Sequence, residues 1–176
     1  MLDTALELSG PSTIRYPRGA ARQVEPDQVG SGLNARLVRT AERPGVCILS
    51  VGKMLEAAEE AVEILAADEV DVTLWDVRVV RPLDPRMVVD AGRHELVVTV
   101  EDGVRSGGAG SFIADAVADL NETRNAPPFL VLGVPTAYIP HGSQDQILSQ
   151  LGLDGPGIAA AVAKALPRRP DLVEQL

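Results

Sequence analysis

The sequence predicts an α/β protein, a three-layer α/β/α sandwich in which helices cover both faces of a mostly parallel sheet. From about residue 46 onward, short apolar runs alternate with segments whose apolar residues recur at helical spacing. The composition agrees, because 45% of the residues are hydrophobic and only 3% are aromatic, so the core must consist of Val, Leu, Ile and Ala. That composition is typical of helices packed on a parallel sheet, and 176 residues are enough for one domain with a substantial core.

Four strands are predicted, in the order in which their apolar runs occur. Three of the runs are almost entirely apolar, and the composition of the run at 96–100 indicates a strand buried on both faces. The remaining run alternates valine and leucine with polar residues, which also predicts a strand. We place these strands at 46–51, 70–77, 96–100 and 129–134.

Helices are predicted between and after these strands. The helical pattern that follows Gly52 has glutamates on the face opposite its apolar residues, as in an amphipathic helix. Pro85 suits the first position of a short helix, and Ser143 with Gln146 forms a capping box at the start of another. We place the helices at 54–65, 85–92, 111–120, 144–151 and 154–166.

The first 45 residues differ from the rest. Residues 1–10 have the pattern of the last turns of a helix, and residues 13–16 form a short run typical of a strand without a neighbour in this chain. A lone strand followed by a polar, Gly- and Pro-containing linker indicates the end of a preceding domain, so we expect a section of a longer protein. The predicted divisions are the end of that domain at 1–19, a linker at 20–45, a folded domain at 46–167 and a tail at 168–176.

Charge and composition exclude several classes of partner. The formal net charge is -9, and such an acidic surface repels nucleic acid and anionic lipid, so we expect neither as a partner. The single cysteine, Cys47, excludes an internal disulfide and is expected to be a buried, inert thiol. The sequence contains no apolar stretch of membrane-spanning length and no signal-peptide pattern, which predicts a cytoplasmic protein with no membrane association.

Arg15 and Arg18 are the candidate binding residues. They lie in the run STIRYPRG at 12–19, where a β-branched segment precedes two arginines and Pro17 stiffens the turn. Two guanidinium groups at the end of a strand suit a phosphate or a carboxylate, because the planar fork binds oxyanions in a bidentate way. On spacing alone, we favour the alternative that both are solvated charges or partners of nearby carboxylates.

A glycine-rich loop at 103–110 lies between the third strand and a helix, where dinucleotide-binding folds hold phosphate. The fingerprint G-x-G-x-x-G is absent, so we favour a packing role, in which the glycines of 107–110 let the turn approach its neighbours closely. Glu101 and Asp102 stand at the carboxyl end of the preceding strand. These carboxylates are expected to cap backbone amides or to pair with Arg105.

The remaining polar residues form no complete catalytic constellation. His94 and His141 have no partners at metal-ligand spacing, which argues against a zinc site. His141 follows a strand and could act as a general acid or base, but a structural or rim role is favoured. Ser50, Ser106 and Ser111 lack a nucleophile elbow. We therefore expect no catalytic residue, no cofactor ligand and no metal ligand in this sequence.

Several stretches carry a resemblance to a known family. STIRYPRG at 12–19, VTVEDGVRSGGAGS at 98–111 and AYIPHG at 137–142 occur in the order found in the 1-deoxy-D-xylulose 5-phosphate synthase family. LGLD at 151–154 and the helix at 157–166 also resemble the C-terminal end of that family. The sequence thus resembles this family over nearly its whole length.

The resemblance implies a thiamine-diphosphate-dependent transferase of the transketolase type. Such enzymes decarboxylate pyruvate and join the two-carbon unit to glyceraldehyde 3-phosphate, which gives 1-deoxy-D-xylulose 5-phosphate for isoprenoid, thiamine and pyridoxal synthesis. Residues 1–19 correspond to the end of the family's middle, pyrimidine-binding domain, and 46–167 to its transketolase C-terminal domain, which implies a five-stranded sheet. Thiamine diphosphate and Mg²⁺ belong to the other domains, so this section is expected to bind neither, to lack turnover alone and to be mainly architectural. The implied partners are the N-terminal and middle domains of the same enzyme and a second copy in a homodimer.

The resemblance also implies a role for the arginines. Arg15 corresponds to the family's group that holds the phosphate of the acceptor aldose, and Arg18 is a weaker candidate for the same role. Two alternatives stay open. One is the equivalent domain of transketolase or of a 2-oxoacid dehydrogenase β-subunit, and the other is a free-standing anion-binding or assembly module.

Overall fold

A computed structural model describes residues 1–17, 22–120 and 126–166. Within these ranges the chain forms six α-helices, five strands and two short 3-10 helices, at Pro26–Gln28 and Gly52–Met54. The helices are α1 Leu2–Leu6, α2 Leu55–Ala67, α3 Pro85–Ala91, α4 Ala109–Leu120, α5 Gln144–Gln150 and α6 Gly155–Ala165. The strands are β1 Arg36–Arg39, β2 Val46–Ser50, β3 Val72–Asp76, β4 Leu96–Val104 and β5 Phe129–Val134. No helix of the described ranges is long and apolar enough to cross a membrane.

The five strands form one sheet in the order β1-β3-β2-β4-β5. β2, β3, β4 and β5 run parallel, and β1 pairs antiparallel with β3 at one edge. The order reverses direction between β2 and β4, which are neighbours although β3 lies between them in the sequence. In open α/β sheets such a switch point opens a crevice at the carboxyl ends of the strands. The predicted five-stranded, mostly parallel sheet is therefore confirmed.

Helices cover both faces of this sheet and enclose two apolar cores. One face packs against α2 and α6, with Ile48, Leu65 and Ile158 among its fully buried residues. The other face packs against α3 and α4, with Met87 and Ile113 buried there. The strand residues alternate between the two cores because successive side chains point to opposite faces. This arrangement is the predicted three-layer α/β/α sandwich.

Three helix starts confirm the capping signals in the sequence. The hydroxyl of Ser143 accepts a hydrogen bond from the backbone N–H of Gln146, which completes the predicted capping box of α5. The carboxylate of Asp154 accepts from the N–H of Gly157 at 2.9 Å and so begins α6. The carboxylate of Asp84, the residue before α3, accepts a hydrogen bond from the backbone N–H of Arg86. Hydrogen bonds from Arg86 also hold the pKa of Asp84 below its usual range.

The N-terminal part differs from the sequence prediction in two places. Residues 13–16 were expected to form a strand, but they have no regular secondary structure, because the described chain offers them no neighbouring strand. Conversely, the predicted linker at 20–45 contains β1, Arg36–Arg39, which completes the sheet. The pattern did not indicate β1 because this edge strand has only four residues, two of them charged. The division at residue 46 stays a prediction, and the predicted tail at 168–176 lies outside the described residues.

Candidate functional site

The carboxyl ends of the four parallel strands meet at one edge of the sheet, and Arg15 lies at that edge. Its Nη1 donates to Oδ1 of Asp102 at 3.1 Å, although the two residues are 87 positions apart. Asp102 belongs to β4, and its side chain is only 13% exposed. The side chain of Arg15 is 70% exposed. This ion pair thus places an exposed guanidinium group beside the strand ends.

The Arg15 guanidinium keeps most of its binding capacity. It carries five N–H donors, and in the described part of the chain its hydrogen bond to Asp102 engages one of the three nitrogens. The remaining donors belong to a largely exposed side chain, so an oxyanion can approach them from solvent. The other predicted binding residue, Arg18, lies outside the described residues, and its role stays a prediction.

The two carboxylates after the third predicted strand have different roles. Glu101 is buried, and its carboxylate accepts hydrogen bonds from the backbone N–H groups of Ala109 at 3.1 Å and Gly110 at 2.8 Å. The capping role expected from the sequence is therefore confirmed for Glu101. Asp102 pairs with Arg15 rather than with Arg105, the partner that the sequence suggested.

The glycine-rich loop is explained by close packing. A Cβ at Gly108 would collide with the carbonyl oxygen of Val104 and lie 2.6 Å from Oε1 of Glu101. A Cβ at Gly110 would lie 2.8 Å from a methyl group of Val131 on β5. Because the Glu101 carboxylate already occupies the first amides of α4, a second anion there would be repelled. The packing role predicted for this loop agrees with the structure at Gly108 and Gly110, whereas Gly107 has open space around it and a φ of +78°, a conformation that favours glycine.

His94 and Cys47 are parts of the core. The ring of His94 is buried between the carbonyl oxygen of Asp90, 2.9 Å from Nδ1, and the hydroxyl of Thr73, 3.1 Å from Nε2. Cys47 is fully buried, and burial raises the pKa of its thiol well above the ordinary value, so it is held as an unreactive thiol. His141 is exposed in the segment before α5, so its predicted position at the rim agrees with the structure.

A second polar cluster, which the sequence analysis missed, lies at the carboxyl end of β3. Nε of Arg36 is 4.0 Å from Oδ2 of Asp76. Burial raises the pKa of Asp76, and the positive charges of Arg36 and Arg78 act in the opposite direction. Arg78 also donates to the carbonyl oxygen of Gly30 at 3.0 Å, which ties the segment before β1 to the sheet. We assign this cluster a structural role because Arg78 donates to backbone carbonyls and the charge of Arg36 lies near Asp76, although Nε of Arg36 is buried and makes no hydrogen bond within the described residues.

The described residues do not fit a magnesium-bound diphosphate. They contain no group of three or more His, Cys, Asp or Glu side chains that could hold a metal ion. A cavity of about 600 Å³ lies at the opposite edge of the sheet, near the amino ends of the parallel strands. Half of its lining residues are acidic, against the single basic residue Arg43; the acidic ones are Glu42, Asp68, Glu69, Asp71 and Glu95. Such a lining repels a diphosphate.

The fold and the comparisons with known proteins agree on the class of this chain. The family model for the transketolase C-terminal domain matches residues 35–158. The chain belongs to the transketolase C-terminal domain family. The match begins one residue before β1 and so includes this edge strand.

Curated relatives give a more particular likeness. The 1-deoxy-D-xylulose-5-phosphate synthase of Aromatoleum aromaticum is 38% identical over 168 residues, which cover 93% of this chain and 25% of the relative. The enzyme of the same name from Thioalkalivibrio sulfidiphilus is 41% identical over 171 residues, 94% of this chain and 25% of the relative. The resemblance stated from the sequence is confirmed. The chain spans about a quarter of the length of these relatives.

Solved structures show the same fold. A chain described as "Split gene transketolase, inactive beta4 tetramer" superposes with a TM-score of 0.69 at 27% identity, over 84% of this chain and 47% of that chain. Transketolase from Campylobacter jejuni gives a TM-score of 0.54 at 12% identity, over 75% of this chain and 18% of that chain. The second likeness concerns the fold alone.

Proposed function

We propose that this chain is the C-terminal section of an enzyme that condenses pyruvate with glyceraldehyde 3-phosphate to 1-deoxy-D-xylulose 5-phosphate. One observation carries the proposal, namely that relatives named for this activity align with more than nine-tenths of the chain. Since the chain spans only a quarter of their length, the remaining machinery belongs to other parts of the enzyme. The cytoplasmic location expected from the sequence is part of the same proposal.

Thiamine diphosphate and Mg²⁺ would be bound outside the described residues of this chain. The amides at the start of α4 are engaged by Glu101, and the acidic cavity at the amino ends of the strands repels phosphate groups. We therefore assign no cofactor contact and no proton transfer to the described residues, and we expect the chain to lack turnover by itself.

Exposed apolar side chains support a partner at the carboxyl edge of the sheet. Tyr16 is 81% exposed, next to the Arg15 contact with β4, and Tyr138 is 93% exposed in the segment after β5. Val104, at the end of β4, is also exposed. Exposed aromatic and aliphatic groups are typical of interaction surfaces. We propose that this edge packs against the N-terminal and middle domains of the enzyme, in a homodimer.

Arg15 is proposed to hold the phosphate of glyceraldehyde 3-phosphate, with Arg18 as a second contributor. The accessible guanidinium beside the strand ends supports the role of Arg15, because an arginine fork positions a phosphate dianion without exchanging a proton. Arg15 thereby orients the acceptor, while the bond-forming chemistry takes place elsewhere in the enzyme.

Replacing Arg15 by alanine in the complete enzyme should weaken use of the phosphorylated acceptor selectively. We expect kcat/KM for glyceraldehyde 3-phosphate to fall. The fall should correspond to a loss of about 2–3 kcal/mol in transition-state stabilisation, because a charge-assisted contact is lost. The KM for pyruvate should change little. Steady-state kinetics with each substrate varied in turn measures both effects.

Arg93→Ala is the matched control, since Arg93 is an exposed arginine in the turn before β4, at the opposite edge of the sheet. It should leave the kinetics of both substrates near those of the native enzyme. Equal losses for pyruvate and glyceraldehyde 3-phosphate in Arg15→Ala would contradict the phosphate-binding role and indicate a structural one.

A second candidate function follows from the likeness to the split-gene transketolase at 27% identity. In that case the enzyme would transfer a two-carbon unit from a ketose phosphate instead of from pyruvate. Supplying the complete enzyme with xylulose 5-phosphate and ribose 5-phosphate in place of pyruvate distinguishes the two. We favour pyruvate because the synthase relatives are more similar to this chain over more of its length.

A further inference from the structure

The acidic cavity at the amino ends of the parallel strands lies beside the end of α6. Leu166, the residue that follows α6, lines this cavity and is half-buried there. In the described part of the chain, none of the five acidic lining residues forms an ion pair. Arg43 is the single basic residue of the lining. The cavity therefore carries an excess of negative charge, which attracts cations.

The sequence provides two cations directly after this point. Arg168 and Arg169 follow Leu166 within the run PRRP at 167–170, which lies outside the described residues. An extended chain spans about 3.6 Å per residue, so the Cα atoms of the two arginines lie within about 7 and about 11 Å of the Cα of Leu166. Covalent geometry thus keeps both guanidinium groups within reach of the acidic cavity.

The short connection also favours binding on entropic grounds. Leu166 has an extended backbone, with φ of -65° and ψ of 135°, as is usual for a residue before proline. Because Pro167 and Pro170 restrict the backbone on both sides of the arginines, less conformational entropy is lost on binding. A tether of two or three residues gives the arginines a high effective concentration at the cavity.

The lining is suited to arginine in particular. Val70 and Leu166 are half-buried and offer apolar surface to the methylene groups of an arginine side chain. The guanidinium group has five N–H donors, so it can pair with more than one carboxylate. Asp68 and Glu69 come from the turn after α2, and Glu95 comes from the turn before β4.

We propose that Arg168 and Arg169 bind in the acidic cavity and tie the segment after α6 to the turn after α2 and the turn before β4. The occupant of the cavity is thus a segment of the same chain, chosen because its charge is complementary and its attachment point already lines the cavity. The proposal is independent of the reaction that the complete enzyme catalyses.

Trypsin cleavage of the bond between Arg168 and Arg169 tests the proposal in the full chain, because the protease requires a free arginine side chain. The triple variant Asp68→Asn, Glu69→Gln, Glu95→Gln should be cleaved there about fivefold faster, as expected when two partly exposed ion pairs are lost. Sodium chloride at about 0.5 M should speed this cleavage in the native chain by screening, and should have little effect on the triple variant. Mass spectrometry of the released peptide, which begins at Arg169, measures the rate.

Two controls separate local release from general effects. The variant Glu56→Gln, Asp115→Asn, Asp119→Asn removes the same charge from exposed sites on α2 and α4, and should leave the cleavage rate unchanged. Cleavage after Arg105, which is exposed just beyond β4, is the internal reference for protease activity and for opening of the whole domain. Every rate is therefore expressed relative to the rate after Arg105.

A second measurement does not depend on the protease. Replacing both Arg168 and Arg169 by glutamine should lower the folding equilibrium constant of the native chain about fivefold, measured by urea denaturation. The same replacement in the triple variant should have almost no effect, because its partners are already neutral.

The remaining outcomes overturn the proposal. An unchanged relative cleavage rate in the triple variant means that the arginines do not bind these carboxylates. Equal increases in the triple variant and the charge-matched control mean that the overall acidity, and not the cavity, attracts the arginines. Protection that appears in the complete enzyme but not in this chain means that another part of the enzyme covers the segment. Cleavage of the native chain that does not respond to salt means that charge does not hold it.

Discussion

Replacing Gly108 by alanine should lower the free energy of unfolding of this chain by about 3 kcal/mol, at the high end for an overpacked site. The added Cβ would collide with the carbonyl oxygen of Val104 and press on both carboxylate oxygens of Glu101. Neither neighbour can retreat easily, because the carbonyl belongs to β4 and the Glu101 carboxylate is hydrogen-bonded to the start of α4. Urea denaturation of the native chain and the variant measures the difference.

Gly142→Ala is the control for this substitution. A Cβ at Gly142 would meet its nearest side-chain atom at 3.5 Å, an ordinary van der Waals contact, so we expect a change near zero. If Gly108→Ala were as stable as the native chain, close packing would not explain the glycine. A close approach of a ligand to this loop would then become the better explanation.

Truncating Glu101 to alanine should also lower the free energy of unfolding by about 3 kcal/mol, because it leaves hydrogen-bond donors without an acceptor. The lost carboxylate accepts from the N–H groups of Ala109 and Gly110 and carries its negative charge at the positive end of α4. The truncation also leaves a cavity beneath the start of α4, since Glu101 is buried. Denaturant unfolding again measures the loss.

Glu101→Gln separates the effect of losing the carboxylate charge from the effect of losing side-chain volume. Glutamine fills the same space and presents one acceptor, so we expect a loss of about half that of alanine. Asp115→Ala removes an exposed carboxylate for comparison. If Glu101→Ala lowered the free energy of unfolding by less than Asp115→Ala does, that result would contradict the capping role. It would also mean that the amides of α4 are available to another anion.

The sequence was sufficient for most of the fold because burial determines its pattern. Strands enclosed on both faces must be mostly apolar, as β2 is with Ser50 as its one polar residue. The cap residues of α5 and α6 lie within one turn of the groups they bind. β1 was missed because an edge strand has charged, partly exposed residues and no such pattern. Its place is determined by pairing with β3, which is distant in the sequence.

The site was less predictable because its contacts are long-range. Glu101 lies eight and nine residues from the amides that it caps, so that role could be weighed from local sequence. The pairing of Asp102 with Arg15 spans 87 residues, and no spacing rule connects them. The neighbouring Arg105 was the closer partner in the sequence, yet the fold brings Arg15 to the carboxylate instead.

The central claim is that this chain is one section of an enzyme whose thiamine site lies elsewhere. The most direct measurement is product formation by the purified chain from pyruvate, glyceraldehyde 3-phosphate, thiamine diphosphate and Mg²⁺, read by mass spectrometry. We predict no 1-deoxy-D-xylulose 5-phosphate above a boiled control from the chain alone, and product when the cofactor-binding part of the enzyme is present. Product from the chain alone would mean that it contains a thiamine site, and would contradict the account.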